Sequence, residues 1–323
     1  MPTPRSQQIS LTDTPYYHCV SRCVRRAFLC GNDEVTGKCY EHRRAWVEQR
    51  LLQLTQIFAI DVCAYAVMHN HTHVVLFVDS EQASAWSTAE VIKRWHLLYA
   101  GTLFTQQFSR GEVLIAPAIE QVEATAAIYR QRLQDISWFM RALNEPIARQ
   151  ANLEDNCTGR FWEGRFKSQA LLDETALAAC MAYVDLNPVR AAIAETPEQS
   201  VFTSIQLRIK AALNNEQPKT LAKFVGNPKQ AMPKGLPFEL TDYLHLVDLT
   251  GRCMRDDKRG FINNKLPNIL IRLGISVDNW FALTHHFEGL FPSTVGKAHS
   301  IEHYCQQHHK RRQGISNSQR YFA

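Results

Sequence analysis

The chain has 323 residues, of which 45% are hydrophobic and 21% are charged, and its formal net charge is +5. This composition is typical of a folded globular protein and excludes a disordered tail, a collagen-like chain and a coiled-coil rod. The chain has no run of 18 apolar residues, no apolar stretch near its start and no Cys-x-x-Cys pair among its nine cysteines. We therefore predict a cytoplasmic protein with free thiols and no membrane-spanning segment.

The N-terminal half predicts three strands, one long helix and a helical insertion. Residues 16–21 indicate a short strand, and apolar residues at helical spacing indicate a helix within residues 34–58. Two β-rich runs, 60–68 and 71–78, are separated by only two residues. They predict a hairpin, and one bent strand is the alternative. Residues 84–156 contain no strand pattern and predict helices.

The next part of the chain predicts a strand pair followed by a helix. Residues 159–172 indicate two strands that turn near Gly164. Asp173 is a predicted N-cap, because its carboxylate can accept a hydrogen bond from a free N–H of the first helical turn. Pro188 is expected to end or kink that helix, since proline cannot donate a backbone hydrogen bond.

The C-terminal part is predicted to be helical and basic. Its helices are interrupted by a stretch rich in Pro and Gly, 226–237. Residues 200–323 contain 17 Lys and Arg against 9 Asp and Glu, whereas residues 1–199 contain 19 against 22. We therefore predict an α+β domain with an antiparallel sheet and a helical C-terminal domain that binds a polyanion. The alternative is an ordinary solvated basic surface. The basic tail, 310–320, is likewise predicted to contact phosphates, with the same alternative.

Two pairs of residues are candidates for chemistry. His71 and His73 lie two apart in a predicted strand, so their side chains share one face of the sheet and can bind one metal ion. A hydrogen-bonded surface pair is the alternative. Tyr183 and Asn187 lie four apart on the predicted helix and share one helix face. Taken alone, neither residue indicates a function: such a tyrosine is usually a core or boundary aromatic residue, and the alternative for the asparagine is the N-cap of the next helix.

Cations alternate with aromatic rings in the segment GRFWEGRFKS (159–168). Cations that contact phosphates, beside rings that stack on bases, are typical of proteins that bind single-stranded nucleic acid. The alternative is an amphipathic hairpin whose arginine stems cover apolar surface.

Three segments taken together resemble a known enzyme family. MHNHTHVVLF (68–77), GRFWEGRFKS (159–168) and YVDLNPVRAA (183–192) resemble the single-tyrosine HUH transposases. Among these, the chain is most similar to the REP-associated tyrosine transposases and their insertion-sequence relatives. The family motif is His, a hydrophobic residue and His, followed downstream by a helix with one Tyr. Thr72 departs from the motif at its middle position, and His69 stands where the family usually has proline.

The resemblance implies a fold and a division into domains. The catalytic domain would cover residues 12–192, with a ferredoxin-like antiparallel sheet, flanking helices and a helical insertion at about 84–156. The basic, mainly helical C-terminal domain would cover residues 196–323. The resemblance does not decide between a monomer and a homodimer.

The resemblance also implies metal-dependent cleavage and rejoining of single-stranded DNA through a 5′-phosphotyrosine intermediate. Tyr183 would be the nucleophile, and His71, His73 and Asn187 would bind a divalent metal ion, Mg²⁺ or Mn²⁺. The partner would be hairpin-containing DNA at the ends of repeats or mobile elements. The expected DNA contacts are basic residues and one aromatic residue: Arg22, Arg25, Arg26, Arg160, Trp162, Arg165, Lys167 and Arg190.

Two other functions are compatible with the same residues. The first is a non-catalytic protein that binds DNA or RNA hairpins on the same scaffold. The second is a metal-dependent hydrolase that uses the histidines without a covalent step. Only the covalent mechanism requires Tyr183, and only the catalytic functions require His71 and His73.

Overall fold

The structure is a computed structural model that describes residues 8–24, 29–32, 37–226, 234–254, 268–308 and 315–322. The fold is α+β, with a five-stranded sheet and helices on both of its faces. The strands are β1 (Tyr16–Arg22), β2 (Ile60–Val67), β3 (His71–Val78), β4 (Lys167–Leu171) and β5 (Thr294–Val295).

Fourteen helices surround the sheet in the described part of the chain. The helices before β4 are α1 (His42–Thr55), α2 (Ser80–Ala85), α3 (Thr88–His96), α4 (Leu103–Ser109), α5 (Ala116–Arg132) and α6 (Ile136–Glu154). Those after β4 are α7 (Glu174–Asp185), α8 (Asn187–Arg190), α9 (Ser204–Ala212), α10 (Leu240–Cys253), α11 (Asn268–Leu273), α12 (Val277–Leu290), α13 (Ala298–Gln307) and α14 (Ile315–Tyr321). Among the described residues, no helix has both the length and the apolar character needed to cross a lipid bilayer.

The sheet has the strand order β2-β3-β1-β4-β5. The first four strands are antiparallel to their neighbours, and the short β5 is parallel to β4. In the β1–β3 pairing, Val20 lies opposite His73, and Arg22 lies opposite His71. Because side chains alternate along a strand, His18 and Arg22 lie on the same face of the sheet as the two histidines of β3.

Several predicted elements are confirmed. The strand at 16–21 is β1, and the two β-rich runs form β2 and β3 of an antiparallel hairpin. The predicted helical insertion, 84–156, contains helices and no strand. The helix predicted within 34–58 is shorter in the structure, where α1 begins at His42, and residues 33–36 lie outside the described part of the chain.

The prediction of two strands within 159–172, turning near Gly164, is wrong. Only β4 is a strand, and before it Trp162 forms an isolated antiparallel bridge with Cys23. This segment therefore follows β1 as one interrupted strand. Between the bridge and β4, four residues lie opposite two residues of β1. A local bulge of this kind re-aims the chain without reversing it, so the predicted turn does not form.

Helix α7 lies in the middle of the molecule. Every residue from Thr175 to Asp185 is buried, because the helix packs on β2 and β3 on one side and on α12 on the other. The predicted N-cap is confirmed, since Asp173 Oδ1 accepts a hydrogen bond from the backbone N–H of Ala176 at 3.0 Å. Pro188 lies in the first turn of α8, where a missing N–H costs nothing.

Two hydrophobic clusters cover the two faces of the sheet. One contains Tyr17, Val74 and Leu76 and packs against α1, α5 and α6. The other contains Val75, almost all of α7 and residues of α10 and α12. Each large apolar side chain buried in these clusters contributes about 1.5–3 kcal/mol. The clusters place β1 and β3 between two helical layers, and the histidines of these strands lie on the α7 side.

The C-terminal residues are part of the same sheet and the same core. Strand β5 pairs with β4, and the second cluster combines residues from both sides of the predicted boundary at 192–196. Of the predicted loop at 226–237, residues 227–233 lie outside the described part of the chain. The division into two domains stays a prediction.

Candidate active site

Three histidines lie on the face of the sheet that α7 covers. His18 is fully buried in β1, His73 is 1% exposed in β3, and His71 is half-buried at the start of β3. The rings of His71 and His73 are 4.7 Å apart between centroids, and those of His18 and His73 are 5.2 Å apart. The predicted pair on β3 is therefore joined by a third histidine from the neighbouring strand.

His18 and His73 form a compact cluster with Glu288 of α12. Nε2 of His18 lies 3.0 Å from Nδ1 of His73, and Oε1 of Glu288 lies 3.2 Å from that same Nδ1. One ligand atom from each of the three residues lies within 4.8 Å of the others. Two imidazoles and a carboxylate are a donor set that suits a divalent transition-metal ion.

Gln169 of β4 holds the outer nitrogen of His18. Oε1 of Gln169 lies 2.6 Å from Nδ1 of His18, and Nε2 of Gln169 donates a hydrogen bond to the carbonyl oxygen of Phe291. Phe291 directly follows α12, so the same short segment of chain contacts Gln169 and carries Glu288. The position of α12 is thus linked to the orientation of His18.

The histidines are neutral at neutral pH. Burial, together with the positive charges of Arg22 and Arg190, lowers the pKa of His71 to about 4. Burial also holds the pKa of His73 well below its ordinary value and lowers the pKa of His18. A neutral imidazole has a free lone pair, which is the form that binds a metal ion.

Tyr183 of α7 lies beside this cluster. Its side chain is almost fully buried, and its ring centroid is 5.7 Å from that of His73. Phe287 stacks against the tyrosine ring at 5.6 Å, and the guanidinium carbon of Arg190 lies 3.9 Å from its centroid. Burial raises the pKa of Tyr183 to about 12, whereas the charge of Arg190 lowers it. The phenol is therefore protonated at neutral pH.

Arg190 is held in place by two carbonyl groups. Its Nη1 donates hydrogen bonds to the carbonyl oxygens of Tyr183 at 3.2 Å and Thr284 at 2.9 Å. The guanidinium thereby connects α8 with α7 and α12. This cation is fixed directly over the candidate nucleophile.

Asn187 is buried at the start of α8 and does not cap that helix. Residue 186 is the N-cap of α8, and no side-chain capping bond is made. The N-cap alternative is therefore wrong. Nδ2 of Asn187 and Nε2 of His73 are both buried, and neither has a hydrogen-bond partner within the described residues. Buried polar atoms without partners are rare and indicate a missing water, ion or ligand.

A small basic pocket borders Glu288. Its volume is about 220 Å³, and its lining includes three of the predicted DNA contacts, Arg22, Arg165 and Lys167. All three are exposed, and none forms an ion pair with a described carboxylate. The pocket thus brings three cations together next to the His–His–Glu cluster.

The remaining predicted contacts lie elsewhere or outside the described residues. Trp162 donates a hydrogen bond from Nε1 to the carbonyl oxygen of Asn144 at 2.8 Å and packs against Phe161. This tryptophan is therefore at least partly structural. Arg160 is exposed in the preceding loop. Arg25 and Arg26, like part of the basic tail, lie outside the described residues.

A larger groove meets the exposed side of His71. Its volume is about 740 Å³, and it runs between the β2–β3 turn and the residues that follow α8. His69 lies in this groove with its side chain 48% exposed, and its Nε2 is 3.8 Å from Oε1 of Glu41. His69 therefore faces the groove and is not part of the His–His–Glu cluster.

Sequence reasoning missed His18, Gln169 and Glu288. The sequence gives one indication for His18: it lies four residues before Arg22 in the first strand, so the two side chains share one face of the sheet. This indication is useful only once the β1–β3 register is known. Nothing in the local sequence singles out Gln169 or Glu288. Their positions depend on the pairing of β1 with β4 and on the packing of α12 against α7.

Comparisons with known proteins add little to the evidence for a function. No protein-family model matches the chain, and no curated protein matches it either. The chain is similar to a solved structure of a REP-associated tyrosine transposase bound to a REP hairpin, with a TM-score of 0.39 and 11% sequence identity. The match covers 72% of this chain and 98% of that chain. The likeness is distant, so the function of this chain has to be inferred from its own residues.

Proposed function

We propose that this protein is a metal-dependent transposase that cleaves and rejoins single-stranded DNA with Tyr183 as its nucleophile. The observation that carries the proposal is the position of Tyr183, whose ring lies 5.7 Å from His73 and 3.9 Å from the guanidinium carbon of Arg190. Phosphoryl transfer needs a nucleophile next to fixed positive charge, because negative charge develops on the phosphate oxygens. The sequence resemblance to REP-associated tyrosine transposases assigns the same role to this tyrosine.

The proposed catalytic domain is ferredoxin-like and covers residues 12–192. The order β2-β3-β1-β4, with antiparallel neighbours and a helix between β1 and β2, supports this assignment. Residues 196–323 form the proposed basic C-terminal domain. We expect the protein in the cytoplasm.

The proposed ligands of the metal ion are His71, His73 and Asn187. The unpartnered Nε2 of His73 supports this set, as does the unpartnered amide of Asn187. The oxygen and nitrogen of an amide are assigned from their surroundings, so Asn187 can turn its oxygen towards an ion. His18, His73 and Glu288 form a second candidate set. Bound Mg²⁺ or Mn²⁺ would neutralise charge on the scissile phosphate and on the leaving oxygen.

The proposed reaction exchanges one phosphate ester for another. Oη of Tyr183 forms a bond to phosphorus, the bond from phosphorus to the 3′ oxygen breaks, and the phenolic proton is lost. The 3′ oxygen leaves and takes up a proton, while the 5′ phosphate stays on the tyrosine. Because the energy of the ester bond is conserved, another 3′-hydroxyl can reverse the step without a nucleotide cofactor. Arg190 favours this reaction, since its charge stabilises the phenolate.

The proposed DNA path includes the basic pocket. Arg22, Arg165 and Lys167 would contact phosphates there, which positions the strand without reading its sequence. The partner is hairpin-containing single-stranded DNA from repeat or mobile-element ends. The other expected contacts stay predictions.

The Tyr183→Phe variant tests the proposed function. Wild-type protein, incubated with Mn²⁺ and end-labelled hairpin oligonucleotides, should give a covalent protein–DNA band on a denaturing gel. This band should disappear in Tyr183→Phe, whereas Mn²⁺ binding measured by electron paramagnetic resonance should be retained. Tyr99→Phe, a half-buried tyrosine in the helical insertion, is the matched control and should retain the band.

Two results would contradict the proposal. Metal-dependent cleavage that survives Tyr183→Phe would identify a hydrolase without a covalent step. Binding of several hairpins by the wild-type protein without any cleavage would identify a non-catalytic hairpin-binding protein.

A further inference from the structure

A chain of hydrogen bonds runs from the end of α12 to His73. It begins at the carbonyl oxygen of Phe291, which accepts a hydrogen bond from Nε2 of Gln169. Since a carbonyl oxygen can only accept, the amide of Gln169 must turn its nitrogen towards Phe291. Its oxygen then faces Nδ1 of His18 at 2.6 Å. The orientation of this amide is thus determined by its surroundings.

The orientation of Gln169 determines which nitrogen of His18 carries the proton. An amide oxygen only accepts hydrogen bonds, so Nδ1 of His18 must be the donor. The ring is fully buried, and burial disfavours its charged form. A neutral imidazole with a proton on Nδ1 has a lone pair on Nε2. That lone pair faces Nδ1 of His73 at 3.0 Å.

His18 in turn determines the proton position on His73. Nδ1 of His73 faces two acceptors, the lone pair of His18 Nε2 at 3.0 Å and Oε1 of Glu288 at 3.2 Å. Nδ1 of His73 therefore carries the proton and donates it to Nε2 of His18, whereas the nearby Oε1 of Glu288 makes no hydrogen bond within the described residues. The lone pair of His73 then lies on Nε2, the buried atom that has no partner within the described residues.

His71 has the same arrangement. Its Nδ1 lies 2.5 Å from Oδ1 of Asn70, which accepts, so its lone pair also lies on Nε2. Both histidines of β3 thus keep Nε2 free, and each has an acceptor behind Nδ1.

We infer that Gln169 and His18 position His73, and that the ion does not bind inside the His18–His73–Glu288 cluster. Gln169 and His18 are positioning residues that hold the proton on Nδ1 of His73, so that Nε2 of His73 binds the divalent ion. This inference rests on the metal site of the proposed function. Ligand histidines commonly donate their second N–H to an acceptor, and loss of such a partner typically weakens metal binding about 10- to 100-fold.

The first measurement is the proton position in the metal-free wild-type protein. Long-range ¹H–¹⁵N spectra of the ¹⁵N-histidine-labelled full chain should place the proton of both His18 and His73 on Nδ1. A proton on Nε2 of His73 would overturn the inference. This readout needs neither metal nor DNA, so it is independent of whether the proposed function is correct.

The second measurement is the Mn²⁺ dissociation constant of matched variants. Gln169→Leu should weaken binding about 10- to 100-fold, whereas Gln106→Leu, a half-buried control in the helical insertion, should not. Glu288 makes no hydrogen bond to His73, so Glu288→Gln should weaken binding less than Gln169→Leu does. His73→Ala should abolish binding.

The variants separate the two candidate ligand sets. If Glu288→Gln weakens Mn²⁺ binding as much as His73→Ala does, Glu288 is a ligand and the inference is wrong. If the wild-type chain binds no Mn²⁺ at all, the proposed metal site fails, while the proton positions still decide whether the hydrogen-bond chain exists.

Discussion

The exposed cations of the basic pocket are oriented by the buried aromatic residues next to them in the sequence. Arg165 and Lys167 come from a segment that also contains buried aromatic rings, Phe161 and Phe166. Burial of the rings turns the cations outward, next to Arg22 of β1. Surface cations without an acidic partner keep their full charge for a polyanion.

We predict that the double variant Arg165→Ala with Lys167→Ala weakens hairpin DNA binding to a similar extent for all sequences. Each lost phosphate contact should reduce the slope of log affinity against log salt by about 0.7–0.9, so the total reduction is about 1.5. Fluorescence anisotropy titrations over a range of salt concentrations measure this slope. The control is Lys93→Ala with Arg149→Ala, two exposed cations of α3 and α6. Equal slopes for wild type and double variant would exclude these residues from the DNA interface.

At the level of elements, Asp173 connects α7 to the C-terminal region. Oδ1 caps α7, and Oδ2 accepts hydrogen bonds from the backbone N–H of Lys297 at 2.6 Å and from Oγ of Ser300 at 2.9 Å. One carboxylate thus satisfies the N-termini of both α7 and α13. Because α7 carries Tyr183, this contact also holds the candidate nucleophile in place.

Asp173→Ala should therefore cost more stability than the loss of an ordinary N-cap. A cap alone contributes about 1 kcal/mol, and each further hydrogen bond to a charged group contributes about 1.5 kcal/mol or more. We expect the free energy of unfolding to fall by about 4 kcal/mol, against about 1 kcal/mol for the control Ser87→Ala. Ser87 caps only α3, through Glu90 N–H. Urea denaturation measures both values, and equal losses would show that the contacts to α13 do not form.

Across the whole molecule, a buried polar network joins α7 to helices of the C-terminal region. Asp185 accepts hydrogen bonds from Oγ of Ser204 at 2.5 Å and from Oη of Tyr243 at 2.6 Å. Arg208, fully buried nearby, donates to the carbonyl oxygens of Cys63 and Ala222. Such networks orient the packed elements, because each member loses its partners if the helices separate.

The network predicts a pH dependence of stability. Burial raises the pKa of Asp185 from 3.8 to about 6. Since the folded pKa is the higher one, the native state binds the proton more tightly than the unfolded state. The contribution of this proton to the free energy of unfolding is complete below about pH 4 and is lost as the pH rises through about 6. It amounts to up to about 3 kcal/mol. Urea denaturation across this window should show the loss in wild type and not in Asp185→Asn. A parallel pH dependence in both proteins would contradict the assignment.

Local patterns predicted the elements of the site. Alternation along β3 placed His71 and His73 on one face, and the helix start at Asp173 was correct. The strand pair around Gly164 was wrong, because alternating apolar residues are equally compatible with one interrupted strand along β1. Pairing with a distant strand decided between the two, and no local pattern contains that information.

By itself, the sequence determined the α+β character, the β2–β3 hairpin and the two candidate histidines of β3, since these depend on periods of two and 3.6 residues. Only the tertiary structure decided that His18, Gln169 and Glu288 surround His73. Their positions come from the β1–β3 and β1–β4 registers and from the packing of α12 on α7, contacts between segments more than 50 residues apart. Such contacts are set by the burial of whole faces and not by any neighbouring residue.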